Sequence, residues 1–181
     1  LIGLGNDGRV SGVTLLGSAD TPAHVQDVRR STSFWQTWTG WSPASPAPKV
    51  SAVSGATLTS LAMAEAVEQR LTGRTLSLRF ARPVTLEEVQ VVYPSATTLQ
   101  PEVPRSGWLA VQEAQGALLG YVVRTSPVAD NVIGYRGPSE ALLAVSRDER
   151  QITAVRLRDR YDTPEHVERM RDDPSALEQR A

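Results

Sequence analysis

Asp20-Thr21-Pro22-Ala23-His24-Val25 returns 142 residues on as Asp162-Thr163-Pro164-Glu165-His166-Val167. At the same spacing Val13 meets Val155, Leu15 meets Leu157 and Arg29 meets Arg171. Leu1–Arg9 matches Leu142–Arg150 one position closer, because Gln151 is an extra residue in the second string. Each string reads as an apolar strand, a turn, a returning strand and a capped helix start. Asp or Thr ahead of Pro supplies an N-cap followed by a natural first helical residue. A unit met twice restricts the fold more than local propensity does, since both copies must bury the same faces. The copies are cut at different places. Residues 1–74 run from hairpin through two further helical stretches, whereas residues 75–181 place extra strands ahead of the hairpin and stop in its helix. The expectation is two incomplete repeats in tandem.

In chain order, Leu1–Leu16 predicts a β-hairpin about Asn6-Asp7-Gly8, and Pro22 opens a helix to about Arg30. Ser31–Gly40 carries Phe34, Trp35 and Trp38 and reads as a short aromatic helix, with Trp41 just beyond. These rings suit a core or a lid, with stacking on a planar ligand as the alternative. Pro43, Pro46 and Pro48 make Trp41–Val50 an extended loop. Thr75–Phe80 alternates Leu76, Leu78 and Phe80 as a strand would. Thr85 caps a short helix that ends before Tyr93-Pro94. Ser95–Gly107 reads as a loop, Trp108–Val111 with Leu118–Val123 as a second hairpin, and Ser126–Gly137 as another loop. Ala141–Leu157 is a third hairpin, and Asp162-Thr163-Pro164 opens a helix that fades into charge near Ala181. Antiparallel hairpins packed with short helices give an α+β class.

Between the prolines and the long helix lies Ser54-Gly55-Ala56-Thr57-Leu58-Thr59-Ser60. Leu58, Leu61, Ala64, Val67 and Leu71 then recur at helical spacing, Glu65, Glu68, Gln69 and Arg70 take the other face, and Gly73 stops the helix. A helix start offers unpaired N–H groups and the positive end of the dipole, so it can hold a phosphate. Ser54, Thr57 and Thr59 put hydroxyls beside it. A glycine turn followed by an ordinary Ser/Thr N-cap explains the same residues without a ligand.

Composition removes several classes. A net charge of −1 and pI near 6.2 provide no basic excess for nucleic acid. The chain has no cysteine, which excludes disulfides, thiolate chemistry and cysteine-held clusters from this segment. Its two histidines, His24 and His166, are too few for an all-histidine metal site and suit boundary positions, with a role near a ligand as the sharper alternative. No apolar run of about 18 residues is present, so no span is expected within these residues. A start at Leu1, inside a strand, fits a piece of a longer protein.

Ser54-Gly55-Ala56-Thr57-Leu58-Thr59-Ser60 resembles, without a gap, the flavinylation motif of the FMN-binding domains in the RnfG, NqrC and NosR/NirI proteins. In that family the threonine closing S/T-G-A-T carries FMN through a phosphoester bond, here Thr57. Family members also have a G-Y-x-G-like turn, a D/N-G hairpin and an acidic-Thr-Pro helix start. The second string matches these through Gly134-Tyr135-Arg136-Gly137, its hairpin and Asp162-Thr163-Pro164. The first matches through its hairpin, Asp20-Thr21-Pro22 and S-G-A-T. Asp-Thr-Pro-x-His-Val looks closest to the NosR/NirI side. The family usually has Asp three residues before the Ser, where this chain has Ser51.

The resemblance implies FMN held by Ser54, Gly55, Ala56, Thr57, Leu58 and Thr59, with Asp20, Thr21 and Pro22 at the isoalloxazine. It implies an electron-transfer module of a larger, membrane-anchored, periplasmic or otherwise extracytoplasmic redox protein. Its partners would be redox proteins and a flavin transferase resembling the ApbE family, with membrane contact only through other parts of the parent. No complete enzyme is expected, because no acid–base pair or nucleophile constellation is evident. A flavin-free regulatory or protein-binding module of the same fold is the alternative, and Ser51 is its main support.

Overall fold

The structure is a computed structural model that describes residues 1–103, 105, 107–134 and 136–171. The chain divides into two compact units, Leu1–Ala81 and Arg82–Ala181. Both mix antiparallel strands with short helices, as the sequence predicts.

In the first unit β1 (Ile2–Leu4) pairs antiparallel with β2 (Val10–Val13). Three helices follow: α1 (Pro22–Arg30), α2 (Thr32–Gln36) and α3 (Thr57–Thr72). Val25 and Val28 are the buried positions of α1, and Arg29 and Arg30 in its last turn complement the helix dipole. Val10, Val28, Phe34, Trp38, Trp41, Ala64 and Val67 form one core together with Ala56. Phe34 meets Trp35 and Trp38 edge-on, with ring centroids 5.0 and 5.2 Å apart. The aromatic segment is therefore core. After α2 the chain turns back, and Gly40 and Trp41 bond the main chain of Val10, the first residue of β2, at 2.8 and 2.9 Å.

Helix α3 presents Ala64 and Val67 inward and ends at Gly73, whose N–H reaches the Gln69 carbonyl at 2.9 Å. Two expectations fail here. Glu65 and Glu68, assigned by periodicity to the outer face, are buried. Thr75–Phe80 is no strand; it is an irregular turn folded against α3. One carboxylate, that of Glu65, accounts for its own burial and for the turn. Oε1 of Glu65 accepts the Leu78 and Arg79 N–H groups at 2.7 and 3.1 Å, and the Arg79 guanidinium caps Oε2 at 2.6 Å. These bonds take the donors that a sheet would have used, and Phe80 is buried beside them.

The second unit opens with α4 (Leu86–Gln90), started by a reciprocal capping box between Thr85 and Glu88. Its sheet runs in the order β3 (Thr98–Pro101), β4 (Trp108–Gln112), β5 (Leu118–Arg124), β6 (Ser139–Val145) and β7 (Ile152–Arg160), all antiparallel. Strand β3 corrects the expected loop at Ser95–Gly107: Thr98–Pro101 pairs with β4 although it ends on a proline, which an edge strand tolerates. Val89, Ala96, Val111, Val122, Leu142 and Ala144 form the core. Glu140 and Arg158 are buried together at 2.9 Å, and Arg158 continues to Glu88 at 3.0 Å. Helix α5 (Pro164–Arg171) closes the described chain. The expected fade toward Ala181 and the central tyrosine of Gly134-Tyr135-Arg136-Gly137 lie outside the described residues.

Hairpins β1–β2 and β6–β7 correspond in register, with Gln151 as one extra residue in the second turn. Ile2↔Val13, Gly3↔Gly12 and Leu4↔Val10 repeat as Leu143↔Val155, Ala144↔Ala154 and Val145↔Ile152, each with a bulge at the last step. The turn bond from Gly8 N–H to the Gly5 carbonyl recurs from Glu149 to Ser146, 2.9 Å in both. Asp7 accepts the Arg9 N–H at 3.1 Å, and Asp148 accepts the Arg150 N–H at 3.3 Å. Gly8 and Glu149 both hold a positive φ, +73° and +61°, so the turn imposes that conformation even where glycine is absent. At the helix starts, Asp20 and Asp162 each accept the N–H of the following threonine, at 2.6 and 2.8 Å.

Candidate functional site

The first unit brings two stretches of sequence together at the start of α3. Gly55 has φ +77°, a left-handed conformation that turns the chain into the helix. The N-cap is Ala56, buried, with φ −135°. No side chain caps the helix. The simple Ser/Thr cap is therefore not what this stretch builds, and the first turn keeps its N–H groups for another acceptor.

The hydroxyls sort into two kinds. Thr59 is buried and donates to the Asp20 carboxylate, linking the turn ahead of α1 to the first turn of α3. Ser60, also buried, donates to the Thr57 carbonyl at 2.9 Å and accepts the Val53 N–H at 3.0 Å, which holds the approach to the helix. Ser54 and Thr57 are exposed, and the Thr57 hydroxyl has no hydrogen-bond partner among the described residues. Gly55 is exposed and Leu58 half-buried.

Asp20, Thr21 and Pro22 are exposed at the start of α1. Thr21 is the N-cap by position but its side chain makes no capping bond; Asp20 binds the Thr21 N–H instead, and Pro22 occupies the first turn. Asp20 accordingly has one oxygen on each helix start. Sequence reasoning passed over Asp27, on α1, whose Oδ2 would lie 3.9 Å from a Cβ placed on Gly55. Its exposed place on a polar helix face carried no signal in the sequence. His24 is exposed on α1, while the His166 side chain lies outside the described residues.

In the second unit Asp162 faces another partner. Its Oδ1 accepts the Arg136 N–H at 3.1 Å, and a Cβ on Gly134 would collide with Oδ2. The Asp-Thr-Pro turn thus touches the glycine turn in one unit and the α3 start in the other.

No group of three or more potential metal ligands occurs among the described residues, and no helix there is long and apolar enough to cross a membrane. A site made of an uncapped helix start, an exposed threonine and a carboxylate brace suits a phosphate-bearing ligand better than a metal.

Residues 1–72, less than half of the chain, match the model of the FMN-binding domain family. A single copy is matched, and it takes in both stretches of the site. The match implies FMN as cofactor and points to a flavin-carrying electron-transfer module. No curated protein and no solved structure matches the chain.

Proposed function

We propose that the first unit carries FMN through a phosphoester on Thr57 and passes electrons within a larger extracytoplasmic redox protein. The observation that carries this reading is the exposed Thr57 hydroxyl at the uncapped start of α3, inside the stretch matched to the FMN-binding family. The N–H groups of the first turn and the positive end of the dipole favour a phosphodiester there. Ser54 and Gly55 leave room beside it, and Asp20, bonded to Thr59, fixes the Asp-Thr-Pro turn where main-chain and side-chain donors could meet the ring. The flavin supplies the redox chemistry; the protein holds it, orients it and sets the field around it.

Attachment requires a flavin transferase resembling the ApbE family, with FAD as donor. The Thr57 oxygen forms a bond to the phosphorus of the FMN half, the pyrophosphate P–O bond breaks, AMP leaves and the hydroxyl proton is released. Co-expression with such a transferase is expected to raise the protein's mass by FMN less one water and to turn it yellow. Thr57→Ala abolishes both changes, and peptide mapping places the adduct on Thr57. Unmodified Thr57 beside a loaded control domain overturns the reading.

Ser51 favours a second reading, a flavin-free regulatory module, since the family's usual Asp is missing from an exposed position three residues before Ser54. That reading expects the protein to stay colourless both as it is and as Ser51→Asp. Flavin gained only on Ser51→Asp marks a sound site that the transferase recognises poorly.

The correspondence of the two hairpins supports a duplicated FMN-binding-type unit, cut so that the first copy retains the S-G-A-T helix and the second the sheet. The assignment to the NosR/NirI side, the extracytoplasmic setting and the redox partners follow from the resemblance.

A further inference from the structure

Two carboxylates bracket the turn that carries Thr57. Asp20, just ahead of α1, accepts the hydroxyl of Thr59, two residues beyond Thr57. Asp27, on α1 itself, comes to Gly55, two residues before Thr57: its Oδ2 would lie 3.9 Å from a Cβ built on that glycine. The two are engaged differently. Asp20 has the Thr21 N–H on Oδ1 and the Thr59 hydroxyl on Oδ2. Asp27 is exposed and has no hydrogen bond or ion pair among the described residues.

Helix α1 gains nothing from Asp27. The residue stands three positions before Arg30, the last of the helix, toward the negative end of the dipole, where Arg29 and Arg30 are the favourable charges. Aspartate is also a poor former of helix interiors, so alanine would suit this exposed position better. In front of its carboxylate the chain is bare, because the left-handed φ of +77° at residue 55 calls for glycine and a side chain there would stand against Oδ2.

An ionised carboxylate accepts hydrogen bonds and donates none. Beside a phosphodiester it is repelled, so Asp27 adds nothing to a phosphate at the start of α3. From a ligand tethered two residues away it can take a hydroxyl or an N–H. FMN carries hydroxyls along the ribityl chain next to its phosphate, whereas its ring N–H stands at the opposite end of the cofactor.

We infer that Asp27 is a further binding residue of this site, whose carboxylate accepts a ribityl hydroxyl and restrains the flavin at a second point besides Thr57. The inference rests on flavin attachment at Thr57. It makes the start of α3 selective for a polyhydroxylated chain as well as for a phosphate.

The test loads the full chain and its Asp27→Ala and Asp27→Asn variants with the transferase and follows the decay of flavin fluorescence anisotropy. Flavin on the unaltered chain is expected to tumble with the protein. In Asp27→Ala the ratio of held to mobile flavin falls about tenfold or more, the scale of one lost hydrogen bond to a charged group, and shows as added depolarisation within nanoseconds. Asp27→Asn, whose amide oxygen still accepts, falls between the two. The melting temperature of unloaded Asp27→Ala is unchanged or slightly raised. Equal anisotropy decays in loaded wild type and Asp27→Ala overturn the role of Asp27 alone, and so does Asp27→Asn as loose as Asp27→Ala. A lower melting temperature of unloaded Asp27→Ala, or its failure to load beside a loaded wild type, overturns it too, since the carboxylate would then serve the fold or the transfer. A wild type that stays colourless refutes the attachment at Thr57, and the role of Asp27 with it.

Discussion

Glu68 and Glu88 show how the same side chain acquires opposite roles. Burial of its side chain on α3 raises the Glu68 pKa; Arg74 draws it back and neighbouring Glu65 adds to the rise. Its carboxyl is easier to ionise unfolded than folded, so its favourable contribution is complete at low pH and is lost as pH rises through the raised folded value. For Glu88 burial also pushes upward, but the Thr85 N–H and the Arg158 and Arg82 guanidiniums outweigh it and hold the carboxyl below its usual range. That contribution is present above the ordinary carboxylate pKa and fades as pH falls. Glu68→Gln is therefore expected to raise Tm at neutral pH and to leave it unchanged where both states are protonated. Thermal melts across that pH range, read at Trp38, check the sign. A variant equally stabilised at all pH values would show that packing, not ionisation, is responsible.

Among the elements, those specified by local signals were legible in the sequence, and those specified by distant partners were not. The hairpins, the helix starts at Pro22 and Pro164 and the Thr85 capping box each depend on residues within a few positions and match the sequence reading, although Thr21 caps α1 by position only, without a side-chain bond. Thr75–Phe80 had the alternation of a strand, yet Glu65, 13 and 14 positions before Leu78 and Arg79, captured their N–H groups. Thr98–Pro101 had little alternation and still became β3 because β4 offered an edge. The hydroxyls of the candidate site were visible, but that Thr59 would turn inward to Asp20 depended on how α1 meets α3. The charged layer under β6 and β7 was equally hidden. Here Arg158→Met is expected to cost about 1–3 kcal/mol, because buried Glu140 keeps Arg124 on Oε1 but loses the partner of Oε2, while Glu88 keeps Arg82 and the Thr85 N–H. Urea titration followed at Trp108, which packs edge-on against Tyr121 in the second unit, reads this directly. A loss below about 1 kcal/mol would mean the site relaxes to water as an exposed pair does.

At the scale of the molecule, the described residues form two hydrophobic cores, one within Leu1–Ala81 and one within the unit that begins at Arg82, each including strands of its own hairpin. The repeat predicted a boundary near residue 74 and the family match ends at residue 72, whereas the first compact unit extends to Ala81. The interval between is occupied by the residues that satisfy Glu65. Anyone cutting a minimal flavin module out of this chain by sequence similarity would place the scissors just after α3 and remove Leu78 and Arg79. A fragment 1–74 is expected to be less stable than 1–81 by about 3–5 kcal/mol, the scale of a buried charge deprived of its partner. Glu65→Leu restores much of the difference in the shorter fragment while harming the longer one, and paired denaturant titrations of the four proteins measure it. The practical limit of the module is thus set by where one carboxylate finds its last donor, seven or so residues after the recognisable pattern has stopped.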